Sequence, residues 1–246
     1  MNDLARQKII VALDVATENE ALDLVIQLKD HVGLFKIGLE LLNSVGVGIV
    51  KRIIELGGDV FYDGKFMDIP NTVAGASKAV SGLAVKMFNV HTMGGTEMMK
   101  AAVKACEDQA SQLHVHRPLV LGVTILTSID ATTMNQQLRI PGEIVNQVTH
   151  LARLAEQSGL DGVIASPQEI EAIKNNMPRP MIIVTPGVRP TWANPGDQKR
   201  IMTPSEAISR GASYLVIGRP ITKPPAEIGT PIEAAKLISE EISLSL

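Results

Sequence analysis

VFYDGKFMDIPNT, residues 60–72, changes character twice. Val60, Phe61 and Tyr62 form the short apolar run of a buried strand. Charges follow at Asp63, Lys65 and Asp68, and then comes Ile69-Pro70-Asn71-Thr72, where Pro70 suits the first turn of a helix. Strand, charged hand-over and helix together make one β-α unit. Strand side chains alternate between faces, so Asp63 and Lys65 point the same way at the strand's end. Two carboxylates around one ammonium are costly to desolvate unless they are well paired. A D-x-K-x-x-D pattern alone is therefore equally compatible with a solvated salt-bridge cluster and with a reactive site.

Outward from this stretch the same alternation recurs. Short apolar runs stand at Ile9 to Leu13, Leu34 to Ile37, Val60 to Tyr62, Val85 to Val90, Leu119 to Val123, Gly162 to Ala165, Met181 to Val184 and Tyr214 to Ile217. Lys36, Lys86 and Asn89 interrupt some of them and weaken their strand character. Amphipathic stretches lie between, such as Asn19 to Leu28 with Ala21, Leu24, Val25 and Leu28 on one face. Gly94-Gly95, Pro167 and Pro204 mark places where loops hand over to helices. Eight strand-helix units in about 250 residues predict a single α/β domain over 1–246, a (β/α)8 TIM barrel. A doubly wound open sheet is the alternative.

The chain has 246 residues and 45% hydrophobic content, enough for one large core. A net charge of -3 and a pI near 6.0 argue against nucleic-acid or anionic-membrane partners. The single cysteine, Cys106, suits a reducing compartment, and no apolar run approaches the ~20 residues of a membrane span. A cytoplasmic location is expected.

In a barrel, polar residues at the C-terminal strand ends are the site candidates. Asp14, Lys36, Asp63, Lys65, His91, Thr124, Thr127, Ser166, Thr185 and Gly218-Arg219 all occupy such places. Gly218-Arg219 follows the last run, where barrels commonly hold a phosphate. Glycine admits backbone N–H groups to an anion, and arginine offers a planar donor fork. The loop from Thr185 to Lys199 has the length of a lid, and its Arg189 and Gln198 could close over an anionic ligand.

DGKFMDIPNT at 63–72 resembles the signature of the orotidine 5′-monophosphate decarboxylase family. The resemblance extends over most of the chain. It takes in VALD at 11–14, FKIG at 35–38, NVHTMGG at 89–95, GVTILTS at 122–128, SPQE at 166–169, TPGVRP at 185–190, GDQKR at 196–200 and YLVIGRPI at 214–221. Order and spacing are similar to the bacterial form.

The resemblance implies a homodimeric barrel with shared active sites. It would convert orotidine 5′-monophosphate to uridine 5′-monophosphate and CO2 in pyrimidine biosynthesis, without metal or organic cofactor. Lys65 then matches the proton donor to C6, Asp63 the carboxylate beside the departing CO2, and Lys36 the lysine linking ribose to the charges. Asp14 matches a ribose-hydroxyl ligand. Asp68, Ile69 and Thr72 match residues reaching the neighbouring subunit's site, and Thr127 and Ser128 match the pyrimidine contact. Arg189, Gln198, Gly218 and Arg219 match the lid and phosphate grip. Gly64 and Met67 depart from the pattern, which usually has a larger apolar residue and often histidine there. Gly64 is expected to loosen the strand end slightly.

The rival within the same superfamily is a Mg²⁺-dependent sugar-phosphate lyase or aldolase, which would add a carboxylate for the metal where this chain has Lys36. A non-catalytic binding barrel would be expected to lack Lys65. His114-x-His116 reads as a polar loop, and His91 as a hydrogen-bonded neighbour of the site, so no metal ligand set is expected.

Overall fold

A computed structural model describes residues 3–193 and 202–246. Eight strands follow in chain order: β1 (Ile9–Ala12), β2 (Leu34–Ile37), β3 (Val60–Phe66), β4 (Met87–His91), β5 (Leu119–Val123), β6 (Gly162–Ile164), β7 (Ile182–Pro186) and β8 (Tyr214–Ile217). Each pairs in parallel with the next, and β8 returns to β1 to close the barrel. Closure leaves no sheet edge and replaces the open doubly wound alternative. Among the described residues, no helix is long and apolar enough to cross a membrane.

The strand boundaries differ from the sequence expectation in two informative places. β3 continues through the charged stretch to Phe66, because Phe66 pairs with Val90 beyond a register shift. β4 begins at Met87, leaving Val85 and Lys86 in the approach. The helices start where punctuation placed them. Pro70 opens the helix Pro70–Ser81, Pro204 opens Pro204–Arg210, and Gly95 opens Gly95–Leu113. Thr17 caps Glu18–Leu28, accepting from the Glu20 N–H at 3.4 Å. In that helix Ala21, Val25 and Leu28 are buried, and Leu24 packs partly buried against the same core.

Alternation along the strands divides the core in two. Ile9, Val11, Phe35, Ile37, Val60, Phe88 and Val90 join the large cluster that includes the helices' buried faces. Ile10, Ala12, Leu34, Phe61, Met87, Leu121, Val184 and Val216 form a second cluster, the filling of the barrel itself. Each of the larger of these side chains (Val, Ile, Leu, Met and Phe) contributes about 1.5–3 kcal/mol on burial.

The inward row then changes chemistry. Two residues above Ala12 stands Asp14, above Leu34 stands Lys36, above Phe61 stands Asp63, and above Met87 stand Asn89 and His91. The barrel is thus apolar through its middle and charged at its C-terminal mouth.

Candidate active site

At this mouth four charges, from β2, β3 and the loop just after β1, alternate in sign. The Lys36 ammonium lies 3.0 Å from Asp14 Oδ1 and 3.3 Å from Asp63 Oδ2. The other oxygen of Asp63, Oδ1, accepts from Lys65 Nζ at 2.6 Å and from Asn89 Nδ2 at 2.7 Å. The Asp63 and Lys36 side chains are only 8% and 11% exposed, so solvent screens their attraction little. Burial alone would raise the Asp63 pKa, yet Lys36, Lys65 and the bonds from Lys65 and Asn89 hold it below the usual carboxylate value. Burial likewise pulls Lys36 down, and Asp63 and Asp14 reverse this and raise it. Both groups stay charged at neutral pH.

Room for the Lys36 ammonium depends on its neighbour in space. A Cβ at Gly38 would lie 2.8 Å from Lys36 Nζ, so the glycine of FKIG keeps this place open. At Gly218 a Cβ would lie 3.7 Å from Asp14 Oδ2, in ordinary contact, so β8 brings Gly218 beside the exposed Asp14 carboxylate.

A cavity of about 190 Å³ opens beside the charges. Lys36, Asp63 and Lys65 line one side, and Phe61, Ile125, Ile164, Ala165, Pro186 and Val216 make the rest largely apolar, with Thr127 at its edge. A flat, weakly hydrated ring would fit such walls while presenting one edge to the Lys65 ammonium. Ser128, next in sequence, is exposed and does not line this cavity.

A second cavity, about 590 Å³, lies beyond β7 and β8 and is lined by Arg189, Trp192, Arg219, Pro220, Lys223 and Glu227. Arg189 is buried, and its backbone N–H donates to Met202 O at 3.0 Å. Burial and then the charge of Arg219 lower its pKa, and its Nε has no hydrogen-bond partner among the described residues. Two guanidinium groups held against mutual repulsion make a place for an anion. Gln198 lies outside the described residues, as does the rest of the expected lid from residue 194.

Asp68, Ile69 and Thr72 stand apart from this chain's own charges. All three are exposed, and the Asp68 carboxylate accepts from the Ile69 N–H at 2.6 Å. The other polar strand ends are mainly structural. Thr124 donates to Ile164 O at 2.9 Å, and Ser166 with Glu169 forms a capping box. Half-buried His91 is lowered in pKa, first by burial and then by Lys65. Among the described residues no three His, Cys, Asp or Glu side chains converge as a metal site would require.

Gly64 sits inside the irregular part of β3, where the register against β4 shifts between Tyr62 and Phe66. The rings of Tyr62 and Phe66, 5.9 Å apart, close over it, and a Cβ there would lie 2.6 Å from Tyr62 Cε1 and 2.9 Å from Phe66 Cε1. Aromatic bulk from the flanking positions fills the space that a larger side chain would take.

Residues 7–236 match the Orotidine 5′-phosphate decarboxylase / HUMPS family. The chain belongs to this family. It is 46% identical to an orotidine 5′-phosphate decarboxylase of Heliobacterium modesticaldum, with 98% of each chain covered. It is 48% identical to that of Moorella thermoacetica, covering 98% of this chain and 94% of the relative. The crystal structure of orotidine 5′-phosphate decarboxylase from Lactobacillus acidophilus superposes with a TM-score of 0.83 at 33% identity, covering 95% of this chain and 98% of that one. The orotidine 5′-phosphate decarboxylase / HUMPS family thus accounts for nearly the whole chain, including the charged mouth.

Sequence reading missed Asn89 as part of the site and saw it only as a blemish in a strand. Its place two residues before His91 on one strand put it on the inward row, but nothing in the sequence showed that its amide meets Asp63 and Lys65. It also missed Gly38, whose role depends on a neighbour's ammonium.

Proposed function

We propose that this chain is a decarboxylase acting as one (β/α)8 domain over 1–246, which converts orotidine 5′-monophosphate to uridine 5′-monophosphate and CO2 in pyrimidine biosynthesis. The observation that carries the chemistry is the Lys65 ammonium, 2.6 Å from Asp63 and facing the apolar cavity. The bond from C6 to the carboxylate breaks, its electron pair stays on C6, and CO2 departs. An ammonium at C6 stabilises that pair as it develops and then transfers a proton to it. Lys65 becomes a neutral amine and regains its proton from solvent. Asp63 sits beside the departing group, where its own charge is balanced by Lys36 and Lys65.

The remaining parts of the substrate follow the two cavities. The pyrimidine enters the apolar pocket with Thr127 at its edge, Ser128 reaches it from outside the lining, and the ribose hydroxyls meet Asp14 and Lys36. The phosphate lies with Arg189, Gly218 and Arg219, and Gln198 joins them. Binding energy from the distant phosphate can lower the barrier if it is realised when the site is organised. Asp68, Ile69 and Thr72 serve the site of a second subunit, consistent with their exposure and with the exposed Met67 and Ile69 side chains. We place the enzyme in the cytoplasm, in keeping with its single, free Cys106. A metal-dependent sugar-phosphate reaction fits less well, because the Lys36 ammonium already bridges the two carboxylates a metal would need.

The test is the loss of ultraviolet absorbance of orotidine 5′-monophosphate with EDTA present. Wild type should turn over fully and a folded Lys65→Ala variant should not. No turnover by folded wild type, with or without EDTA, would overturn the assignment.

A further inference from the structure

Lys65 has φ +49°, in the left-handed region that a non-glycine residue adopts only under strain. It lies between Tyr62 and Phe66, where the register of β3 against β4 shifts. A shift of this kind frees a backbone N–H from the regular ladder, and a buried free N–H needs another partner. Here the Lys65 N–H donates to the side-chain oxygen of Asn89 at 2.7 Å. The nitrogen of the same amide donates to Asp63 Oδ1 at 2.7 Å. Asn89 is fully buried on β4, so its orientation is fixed by packing as well as by both bonds.

One amide therefore grips the backbone of the residue that carries the ammonium and the carboxylate that the ammonium meets. On the opposite side of β3, the Tyr62 and Phe66 rings close over Gly64. A ring pair outside and an amide inside hold the irregular segment from both faces. A regular strand would carry Lys65 onward by φ/ψ values of the β region. The left-handed turn at its Cα redirects its stem, and Nζ meets Asp63 only two residues back.

We propose that Asn89 is a positioning residue for the decarboxylation: its side-chain amide fixes the left-handed backbone of Lys65 and the orientation of Asp63, so that ammonium and carboxylate are preset at the cavity. The amide does not reach the reacting atoms. It acts through Lys65 and Asp63, and this inference rests on the decarboxylase assignment above.

Four measurements on the intact enzyme decide it. Wild-type turnover comes first, since its absence refutes the decarboxylase assignment by itself. In Asn89→Ala, kcat should fall on the order of a hundredfold, the cost of a small misplacement of a catalytic group. KM for orotidine 5′-monophosphate should stay within about threefold, because the binding groups are untouched. Asn89→Asp keeps an oxygen for the Lys65 N–H but loses the donor to Asp63 and adds a like charge beside it. The acid limb of its kcat–pH profile should move upward. Hydrogen exchange at the Lys65 amide reads the backbone half without any turnover: slow in wild type, fast in Asn89→Ala. If Asn89→Ala does not fold, Asn89→Asp decides through its pH profile. An unmoved acid limb, unchanged exchange at Lys65, or a folded Asn89→Ala with kcat near wild type would each make Asn89 a packing residue and overturn the proposal.

Discussion

Lys36 and Asp63 meet at 3.3 Å across the seam between β2 and β3, although the register of that seam sets Lys36 opposite Phe61. The contact is diagonal, one inward step further up β3, where long side chains still reach one another. It lifts the charges just above the apolar layer formed by Leu34 and Phe61 and leaves both nearly buried.

Removing one partner of this pair leaves a buried charge. Lys36→Met should cost about 3 kcal/mol of stability, toward the lower end of broken buried pairs because Asp63 keeps Lys65 and Asn89. Chemical denaturation should show a lower midpoint at unchanged slope, together with a loss of turnover. A midpoint equal to wild type would mean that Asp63 is solvated in solution.

Acid should weaken the fold through His91 before it reaches the carboxylates. The folded pKa of His91 lies below its usual 6.5, so the unfolded chain takes up the proton first. Stability therefore falls as pH drops through 6.5 toward the folded value. Asp63 is lowered from 3.8, so its contribution is complete above 3.8 and is lost only as pH falls further, through its folded pKa. Lys36 is raised above 10.5, so its contribution is complete below 10.5 and is lost only as pH rises through its folded value. Melting temperatures of wild type should fall between about pH 7.5 and 5.5, and those of His91→Asn should fall less. His31, also lowered, keeps its own share in the variant. Parallel curves for the two proteins would refute the assignment to His91.

Filling Gly64 should damage this particular protein. Gly64→Val meets the rings of Tyr62 and Phe66 at distances no Cβ tolerates, and the overpacking should cost about 1–3 kcal/mol. Adding Tyr62→Ala should relieve the clash, so the double variant should melt closer to wild type than independent losses would allow. Strictly additive losses would mean that the rings give way without strain.

Taking a guanidinium from the second cavity should act on binding. In Arg219→Ala, KM for orotidine 5′-monophosphate should rise at least about tenfold, equivalent to about 1.4 kcal/mol. The phosphate-free nucleoside should be affected much less. Equal losses for nucleotide and nucleoside would remove Arg219 from the phosphate grip.

Much of this was written in the sequence. Eight apolar runs of strand length, proline or glycine at helix starts and polar residues after the runs were enough for a barrel with a charged mouth. The i, i+2 spacing of Asp63 and Lys65 placed both at the mouth, and the positions of Lys36 and Asp14 followed from the same rule, but the contact between Asp63 and Lys65 needed the left-handed backbone at Lys65. Asn89 and Gly38 were not legible, since neither contains its own partner: Asn89 matters through Asp63 on β3, and Gly38 through the space that Lys36 needs. What surrounds Gly64 was not legible for the same reason. Its vacancy is filled by rings whose directions no linear pattern reports.

By itself, then, the sequence determined the periodicities: which residues alternate inward, where strands yield to helices, and which charges arrive at one end of the barrel. Only the tertiary structure decided the pairing of those charges. The register shift between Tyr62 and Phe66 and the left-handed Lys65 bring the ammonium back onto Asp63. Pairing of β2 and β4 on either side of β3 brings the Lys36 ammonium and the Asn89 amide to that same carboxylate. Such contacts join residues more than twenty positions apart and depend on distances of a few tenths of an ångström, which strand registers and packed side chains fix and residue order alone does not.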